Sequence, residues 1–385
     1  MTVYFDNGST SFPKAPNVAE AVGELLKEGS FNINRGIYKE ASSLAEKVFS
    51  TRERLCRLFN FENPSNVIFT NNITYALNMV IRGFLRPGDH VIVSSMEHNA
   101  MMRPLFQLSR YGVEFSVAEA DREGVLAPEK IEELIKPNTK AVMMLTASNV
   151  CGTMLPIEEA GEICRRRGLK FVVDSAQTAG AFPIDMEKMN IDALCFTGHK
   201  SLRGPQGIGG FVVKDEMASL IEPIIAGGTG SISDSEEIPQ FLPDKFEAGT
   251  MNIPGIVGLN EALIYLEKVG LEETAKKELF ITERFLNKAL SIPEVNVTGK
   301  KDMKGRAPIV SLTFNTMDNA EAAFLLENNY GIMTRCGLHC APRAHKTLGT
   351  FPEGTVRFSF SPFNTEEEVD YTINAINEIV RGKRD

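Results

Sequence analysis

The chain lacks the features that mark several other classes of protein. It has no basic excess, since 41 lysines and arginines face 50 aspartates and glutamates, which argues against nucleic acid as its main partner. No apolar run is long enough to span a membrane, and Met1–Asn7 lacks the basic and apolar regions of a signal peptide. The six cysteines form no CxxC pair and no disulfide-framework spacing. We therefore expect a cytoplasmic protein with reduced thiols.

Nucleotide-binding motifs are missing as well. There is no Walker-type loop, and no GxGxxG opens the first strand–helix unit. At 385 residues, with 43% hydrophobic and 24% charged residues, the chain resembles an ordinary globular protein long enough for two domains. We expect an N-terminal arm (1–14), a large domain (15–255) and a small α+β domain (256–385).

Strands and helices alternate along the large domain, which predicts an α/β fold with a mainly parallel sheet covered by helices on both faces. The predicted strands are 66–70, 90–94, 113–118, 140–146, 170–174, 193–196 and 210–213. The predicted helices are 16–29, 38–60, 74–85, 99–110, 128–136 and 156–167, with 32–36 separating the first two. In such sheets ligands bind at the carboxyl ends of strands, so the residues after each strand are the candidates for a site.

The pattern changes in the small domain. Two long helices, 255–269 and 271–291, are followed by a β-α-β-β-α tail. Its predicted elements are strand 308–314, helix 318–329, strands 331–335 and 355–361, and helix 365–381.

Lys200 occupies the most unusual position in the sequence. It follows the apolar run Ile191–Phe196 and opens the glycine-rich stretch up to Gly210. Lysines are mostly solvated, so one at the end of a core strand must snorkel, pair with a charge or bond covalently to a ligand. The glycines allow the backbone to approach a ligand closely. Our hypothesis is that Lys200 carries pyridoxal 5'-phosphate (PLP) as a Schiff base.

Polar residues follow the other strands. Thr74 opens a helix whose free N–H groups suit a phosphate, although Thr74 could equally be an ordinary N-cap. His98 could stack on a flat ring or be a polar loop residue. Asp174 closes an all-apolar strand, which is costly without a positive partner. A protonated pyridine nitrogen would be such a partner; a metal ion or a structural hydrogen bond is the alternative.

The segment from Arg335 to His345 combines two cysteines, two histidines and two arginines. Cationic neighbours raise the thiolate fraction of a cysteine, and the thiolate is the nucleophile. This setting predicts activation of Cys340 by four neighbours: Arg335, His339, Arg343 and His345. Zinc is a weaker alternative, because the spacing of the cysteines and histidines matches no known finger.

The remaining candidates are an arginine and four cysteines. Arg357 lies on a strand that alternates with apolar residues, where it either holds a carboxylate bidentately or faces solvent. The other cysteines are interpreted as structural: Cys56 and Cys164 on helices, Cys195 on a strand, and Cys151 as a small packing residue.

In combination, these motifs resemble the class V aminotransferases, and within them the cysteine desulfurase and selenocysteine lyase branch. The resemblance covers nearly the whole chain, and the form Arg335-x-Gly337-x-His339-Cys340 is similar to the Suf-type group. The ordered motifs that carry it are Glu97-His98, Ser148-Asn149-Val150-x-Gly152-Thr153, Asp174-x-Ala176-Gln177, Thr197-Gly198-His199-Lys200, Phe246-Glu247-Ala248-Gly249-Thr250 and the Cys340/Arg357 tail.

The resemblance implies the PLP-dependent transferase fold of type I and a role for each residue at the cofactor ring. Lys200 would be the Schiff-base lysine and the proton shuttle at the substrate Cα. Asp174 would pair with the pyridine nitrogen, and Gln177 would hydrogen-bond the phenolic oxygen. His98 would stack on the ring, and Asn149 would help hold the phenolic oxygen and the substrate carboxylate.

It also implies residues for the phosphate and for assembly. Thr74, Thr197 and His199 would bind the phosphate, and Thr250 would reach the phosphate of the other subunit in a homodimer. One departure concerns this end of the cofactor: Asn72, Ile73 and Thr74 stand where Suf-type enzymes have a glycine and two threonines.

The implied reaction converts L-cysteine to L-alanine. Arg357 would hold the substrate carboxylate, and Cys340 would take the sulfur as a persulfide and pass it to an acceptor protein. Cys336 stands where a threonine is usual, and the basic segment after Cys340 also differs. The alternatives are a selenocysteine lyase, another PLP enzyme such as an aminotransferase, racemase or β-lyase, and a non-catalytic metal- or sulfur-binding module.

Overall fold

The computed structural model describes residues 1–29, 31, 33, 38–232 and 234–382. Four of the five residues at 32–36, predicted to separate the first two helices, therefore lie outside the described residues. Within the described ranges, no helix has the length and apolar character needed to cross a membrane.

Seven strands form the central sheet. The strands up to residue 213 are β1 (Val3–Tyr4), β2 (Val67–Thr70), β3 (His90–Ser94), β4 (Glu114–Ala118), β5 (Thr139–Leu145), β6 (Lys170–Asp174), β7 (Ala193–Thr197) and β8 (Gly209–Val213). All but β1 belong to this sheet, in the order β2-β8-β7-β6-β5-β3-β4. Only β8 runs antiparallel to its neighbours, so the prediction of a mainly parallel sheet is confirmed.

Helices cover both faces of this sheet. They are α1 (Val18–Glu28), α2 (Lys39–Phe59), α3 (Ile73–Phe84), α4 (Asn99–Ser109), α5 (Glu129–Glu132), α6 (Ile157–Arg167), α7 (Asp215–Leu220) and α8 (Ile253–Val269). Successive strand residues point to opposite faces. Val91 and Val93 accordingly join a core with α3, α4 and α7, whereas Ile92 joins a core with α2, α6 and α8. Burial on both faces explains why the strands are apolar throughout.

A second, antiparallel sheet follows. The remaining elements are α9 (Leu271–Ala289), β9 (Val295–Thr298), β10 (Ile309–Phe314), α10 (Asn319–Tyr330), β11 (Ile332–Met333), β12 (Arg335–Gly337), α11 (Pro342–Leu348), β13 (Thr355–Ser359) and α12 (Glu366–Arg381). The sheet has the order β12-β13-β10-β9 and shares a core with α9, α10 and α12. Strand β1 pairs with β11, so the N-terminus is held by the C-terminal part of the chain.

Three differences from the predicted elements are informative. The strand expected at 331–335 is two short strands in different sheets, because β11 pairs with β1 and β12 pairs with β13. The helix expected at 128–136 contains only Glu129–Glu132. Pro137 disfavours helical backbone at Lys136, which excludes the last residue of the expected range, and the structure gives no single cause for the earlier end. Three further elements, β9, α7 and α11, are absent from the prediction, because they are too short to show a hydrophobic periodicity in the sequence.

Candidate active site

Lys200 lies three residues beyond the end of β7, in a loop that folds back on itself. The Gly198 amide donates to Ile208 O at 2.9 Å, and the Arg203 amide donates to Lys200 O at 2.8 Å. A side chain at Gly198 would meet Ile208 at 2.9 Å, so the turn requires a glycine. Burial lowers the pKa of Lys200 to about 8, opposed by the charge of Asp174. The amine is thus far easier to deprotonate than that of a solvated lysine.

Asp174 ends β6 and is almost fully buried at 3% exposure. It pairs in register with Leu145 of β5 and Cys195 of β7. Its Oδ1 accepts a hydrogen bond from the Ala176 amide at 2.9 Å. Burial raises the pKa of Asp174, while the charge of Lys200 acts in the opposite direction. A buried carboxyl group in this position favours a cationic partner.

His98 caps α4, since its Nδ1 accepts a hydrogen bond from the Ala100 amide at 3.0 Å. A neutral ring that accepts at Nδ1 carries its proton on Nε2. Burial lowers the pKa of His98 to about 3, and the charges of Lys200 and Arg335 add to this effect. The ring is therefore neutral at physiological pH and, as the N-cap, is fixed at the carboxyl end of β3.

Glu97 is a residue of this site whose role the sequence did not indicate. It is 1% exposed, and Ser94 Oγ donates to its Oε1 at 2.5 Å. The Leu145 amide lies 3.1 Å from both carboxylate oxygens. Burial raises the pKa of Glu97 to about 8. Its carboxyl group links the ends of β3 and β5 directly beside His98. In the sequence, the only sign of this role is a charged residue close to the end of a predicted strand.

At the predicted phosphate end, α3 is capped by Asn72, whose Oδ1 accepts from the Tyr75 amide at 3.2 Å. The alternative that Thr74 is the N-cap is therefore wrong; Thr74 is exposed in the first turn. Thr250 is exposed in the loop before α8. Among the described residues, no hydrogen bond joins Thr250 to Lys200 or Asp174.

Arg357 is 1% exposed on β13, so the solvent-facing alternative is wrong. Its Nη2 donates to Asp6 Oδ1 and to Ser9 Oγ, each at 2.8 Å, and its Nη1 donates to Asn149 O at 3.0 Å. Asp6 and Ser9 belong to the N-terminal arm, whose position the sequence pattern could not predict. Gln177 contacts the same arm, donating from Nε2 to Gly8 O at 3.2 Å.

Cys340 is exposed and lies on a loop with an unusual backbone conformation. His339 and Cys340 have φ angles of 48° and 57°, a left-handed conformation that is uncommon for residues other than glycine. Cys340 O accepts from the Asn99 amide at 2.8 Å, and Arg335 Nη2 lies 3.8 Å from Cys340 Sγ. His339 O accepts from Asn149 Nδ2 at 2.7 Å. The thiol is thus presented on a loop that is fastened to the Lys200 side of the site.

The predicted activation of Cys340 by both histidines is wrong. His339 Nε2 is 3.0 Å from Thr355 Oγ1, and His345 Nδ1 is 2.7 Å from Thr350 Oγ1. Burial lowers the pKa of His339 to about 2 and that of His345 to about 4. Both rings are therefore neutral, and Arg335 is the cation that contacts the thiol. In the described part of the chain, no group of three or more histidine, cysteine, aspartate or glutamate side chains is arranged to hold a metal ion.

Several buried polar atoms around Lys200 fit PLP. Within the described residues, Asn149 Oδ1, Thr197 Oγ1 and His199 Nδ1 are buried without a hydrogen-bond partner. Such atoms are costly unless a ligand pairs with them. Together with the buried carboxyl of Asp174 and the amine of Lys200, they match the pyridinium, phenolic oxygen, phosphate and aldehyde of PLP.

Comparisons with known proteins identify the family of the chain. A family model described as aminotransferase class-V matches residues 3–372. The probable cysteine desulfurase of Methanothermobacter thermautotrophicus is 33% identical over 98% of this chain and 94% of its own. The structure of cysteine desulfurase from Thermococcus onnurineus NA1 matches with a TM-score of 0.93 and 32% identity, over 99% of this chain and 95% of that one.

A more distant structure matches over the same length. It is the cysteine desulfurase CsdA from Escherichia coli in an S-sulfonic acid form, with a TM-score of 0.89 and 28% identity over 99% of this chain and 95% of that one. The match of the family model covers both sheets, the Lys200 loop and the Cys340 loop. This chain therefore belongs to the class V aminotransferase family.

Proposed function

We propose that the chain is a PLP-dependent cysteine desulfurase that converts L-cysteine to L-alanine and takes the sulfur onto Cys340. The observation that carries the proposal is the position of the exposed Cys340 thiol. Its loop is hydrogen-bonded to Asn99 and, through His339, to Asn149. A nucleophilic thiol on a loop fastened to a PLP-type site suits sulfur removal better than transamination, which needs no thiol.

The residues around Lys200 would hold the cofactor. Asp174 would pair with the ring nitrogen, His98 would stack on the ring, and Gln177 and Asn149 would contact the phenolic oxygen. The phosphate would be bound by the N-terminal amides of α3 and by the side chains of Thr74, Thr197 and His199. PLP, when bound, supplies an electron sink for the charge that develops at the substrate Cα.

The protein groups would then act on L-cysteine in sequence. Arg357 binds its carboxylate, and the neutral amine of Lys200 accepts the Cα proton. The Cys340 thiolate attacks the substrate sulfur, so that an S–S bond forms while the C–S bond breaks. The bonding electrons stay with the substrate carbon, which takes up a proton to give alanine. A guanidinium beside the thiol, that of Arg335, favours the thiolate.

The proposal includes a homodimer in which Thr250 reaches the phosphate site of the partner subunit. Its exposure in the loop before α8 supports this role. It also includes a sulfur-acceptor protein and a cytoplasmic location, which the six free cysteines support. The site would lie between the large domain (15–255) and the small domain (256–385), with the arm (1–14) entering it through Asp6 and Gly8.

Product analysis tests the proposal. Purified protein loaded with PLP is incubated with L-cysteine and a reductant, and alanine and sulfide are measured. We expect equal amounts of both, and a Cys340 peptide heavier by one sulfur atom when the reductant is omitted. Lys200→Ala should abolish turnover. Pyruvate, a keto acid transamination product or D-cysteine would instead overturn the proposal. If L-selenocysteine in a parallel assay released selenide while L-cysteine released no sulfide, the enzyme would be a selenocysteine lyase.

A further inference from the structure

A surface groove runs beside the Cys340 loop, between α4 and α11. Asn99 lies at the end of the groove nearest to the thiol, and its amide donates to Cys340 O. Pro342, two residues after Cys340, lines the same end. A molecule that occupied the groove would therefore reach the exposed thiol.

Three cations line this α4–α11 groove: Arg103, Arg343 and Lys346. Within the described part of the chain, none of the three forms an ion pair, although ion pairs are frequent elsewhere on the surface. Arg335, beside the thiol, contacts Ser9 and Cys340 and likewise has no carboxylate partner among these residues. Glu97 also lines the groove, but it is 1% exposed and its oxygens accept from Ser94 and Leu145. A chain with a net charge of −9 thus keeps a cluster of cations without carboxylate partners around one groove.

The groove also exposes apolar surface between these cations. Phe106 is 58% exposed, whereas Met102 forms part of the floor at 7% exposure. A single exposed phenylalanine needs no explanation. A groove that combines an exposed phenylalanine with arginines, however, contains the residue types that are enriched at protein interfaces.

We propose that the α4–α11 groove docks an acidic segment of a thiol-bearing acceptor protein and so places the acceptor thiol at Cys340. The inference rests on the proposed function, because it assumes that Cys340 carries a persulfide. Charge complementarity selects this occupant, since the open cations would be neutralised by aspartates or glutamates and Phe106 would be covered by an apolar residue of the same segment.

Sulfur transfer in this arrangement is an exchange between thiols. The acceptor thiolate attacks the terminal sulfur of the Cys340 persulfide. A new S–S bond forms on the acceptor as the Cys340 S–S bond breaks, and Cys340 leaves as a thiolate. The proton lost by the acceptor thiol is taken up by the solvent and later by Cys340, so no further oxidant or reductant is needed.

The charge of the whole chain and the charge of the groove make opposite predictions. Long-range attraction to a protein of net charge −9 would favour a basic acceptor, whereas the groove favours an acidic one. Two peptides of equal length separate these effects. Each carries one cysteine and one leucine, flanked by glutamates in the first peptide and by lysines in the second.

The first measurement is the rate of sulfur transfer from the persulfide form of the enzyme to each peptide. We expect the acidic peptide to react about tenfold faster at low ionic strength, with the advantage shrinking as salt screens the charges. Arg103→Glu combined with Lys346→Glu should reverse the order of the two peptides. Alanine formation with dithiothreitol should remain within about twofold, because a small neutral thiol needs no charged groove.

The matched control is Lys276→Glu combined with Lys277→Glu, an equal change of net charge on two exposed lysines of α9. It should leave the preference for the acidic peptide unchanged. Equal effects of the two double variants would show that only net charge matters, and a preference for the basic peptide in the unsubstituted enzyme would also overturn the proposal. A shift in oligomeric state with Arg103→Glu and Lys346→Glu would identify the groove as a subunit contact instead.

A second measurement does not depend on sulfur chemistry. Fluorescence anisotropy with cysteine-to-serine forms of both peptides reports binding alone. We expect the acidic peptide to bind more tightly, and we expect Arg103→Glu combined with Lys346→Glu to remove this difference. Such a result supports docking in the groove even if the enzyme forms no alanine. Absence of alanine would overturn the proposed function, whereas equal weak binding of both peptides would overturn the docking proposal.

Discussion

Arg357 is paired with Asp6 across almost the full length of the chain, with Nη2 of the arginine 2.8 Å from Oδ1 of the aspartate. Asp6 belongs to the N-terminal arm and Arg357 to β13. The two ends of the chain therefore meet at the guanidinium that is proposed to bind the substrate carboxylate. Because the Asp6 carboxylate offsets part of the guanidinium charge, it would compete with that carboxylate.

Replacing Asp6 by Asn tests this competition. The amide oxygen can still accept from Arg357 Nη2, so the guanidinium should stay in place while the negative charge is lost. We expect the KM for L-cysteine to fall by about threefold to tenfold, the effect of roughly 1 kcal/mol for a partly exposed charge. A higher KM in Asp6→Asn would show that the charge of Asp6 is needed to hold Arg357.

The lowered pKa of Lys200 predicts how the apoprotein takes up its cofactor. Only the neutral amine reacts with an aldehyde, and burial lowers the pKa of Lys200 to about 8. Between pH 7 and 9 the neutral fraction then rises about tenfold and levels off, whereas for an ordinary lysine it would rise about a hundredfold and continue to rise. Stopped-flow absorbance after PLP addition gives the rate at each pH.

Lys14 provides a control for this measurement. Burial lowers its pKa to about 8 as well, and its Nζ lies 3.3 Å from His199 O. Borohydride reduction followed by peptide mapping should place the label on Lys200 and not on Lys14. Label on Lys14, or a rate that still climbs above pH 9.5, would contradict the assignment of Lys200.

The carboxyl group of Glu97 should make stability depend on pH. Burial raises its pKa to about 8 in the folded protein, against an ordinary value near 4.5. The folded state therefore holds the proton more tightly, and the associated stability is present below pH 4.5 and lost as the pH rises to 8. Glu97→Gln, which keeps a side-chain oxygen that accepts from the Leu145 amide but cannot ionise, should gain stability relative to the unsubstituted protein over this window.

The free energy of unfolding of Glu97→Gln should rise relative to that of the unsubstituted protein by up to about 1.4 kcal/mol per pH unit. Urea unfolding midpoints of both proteins between pH 5 and 8 measure this difference. Glu97→Ala serves as the comparison, because it removes the link between β3 and β5 and should weaken PLP binding at every pH. Parallel pH curves for Glu97→Gln and the unsubstituted protein would show that Glu97 is ionised throughout.

The two thiols near the site should behave differently. Cys336 lies on β12 and pairs in register with Val356 of β13. It packs against the core of the second sheet, and burial raises its pKa. Cys340 is exposed beside Arg335. Cys336→Ala should change alanine formation less than about twofold, while Cys340→Ala should lower it by more than about a hundredfold. Persulfide on Cys336 in mass spectrometry of the unsubstituted enzyme would contradict this division.

The sequence predicts site residues that follow strands, but not those whose surroundings come from distant parts of the chain. Asp174 and Lys200 could be placed at one edge of the sheet because both follow apolar strands, and the carboxyl ends of parallel strands meet there. The burial of Arg357 could not be predicted, since an alternating strand does not tell which face is covered and Asp6 is 351 residues away. The sequence predicts His339 and His345 as activating neighbours of Cys340, because their burial, which lowers the pKa of both rings, arises only when the chain folds.

The ion pair between Arg52 and Glu247 should contribute strongly to stability. The guanidinium of α2 is held by both carboxylate oxygens at 2.9 and 2.7 Å, and the Phe69 amide donates to Glu247 Oε1 at 2.7 Å. Both side chains are at most 8% exposed. Glu247→Ala leaves a buried guanidinium without its partner, which costs about 3–5 kcal/mol.

The comparison is Glu133→Ala, which breaks an exposed pair with Lys130 of 2.9 Å and should cost at most about 1 kcal/mol. Urea unfolding followed by circular dichroism measures both variants. Replacing Arg52 and Glu247 together by leucine should destabilise the protein less than Glu247→Ala alone, because no charge is then left buried. If Glu247→Ala shifted the midpoint no more than Glu133→Ala, the buried pair would be shown to contribute no more than a surface one. Glu247 lies three residues before Thr250, so a large loss would also show that this pair anchors the loop proposed to reach the partner subunit.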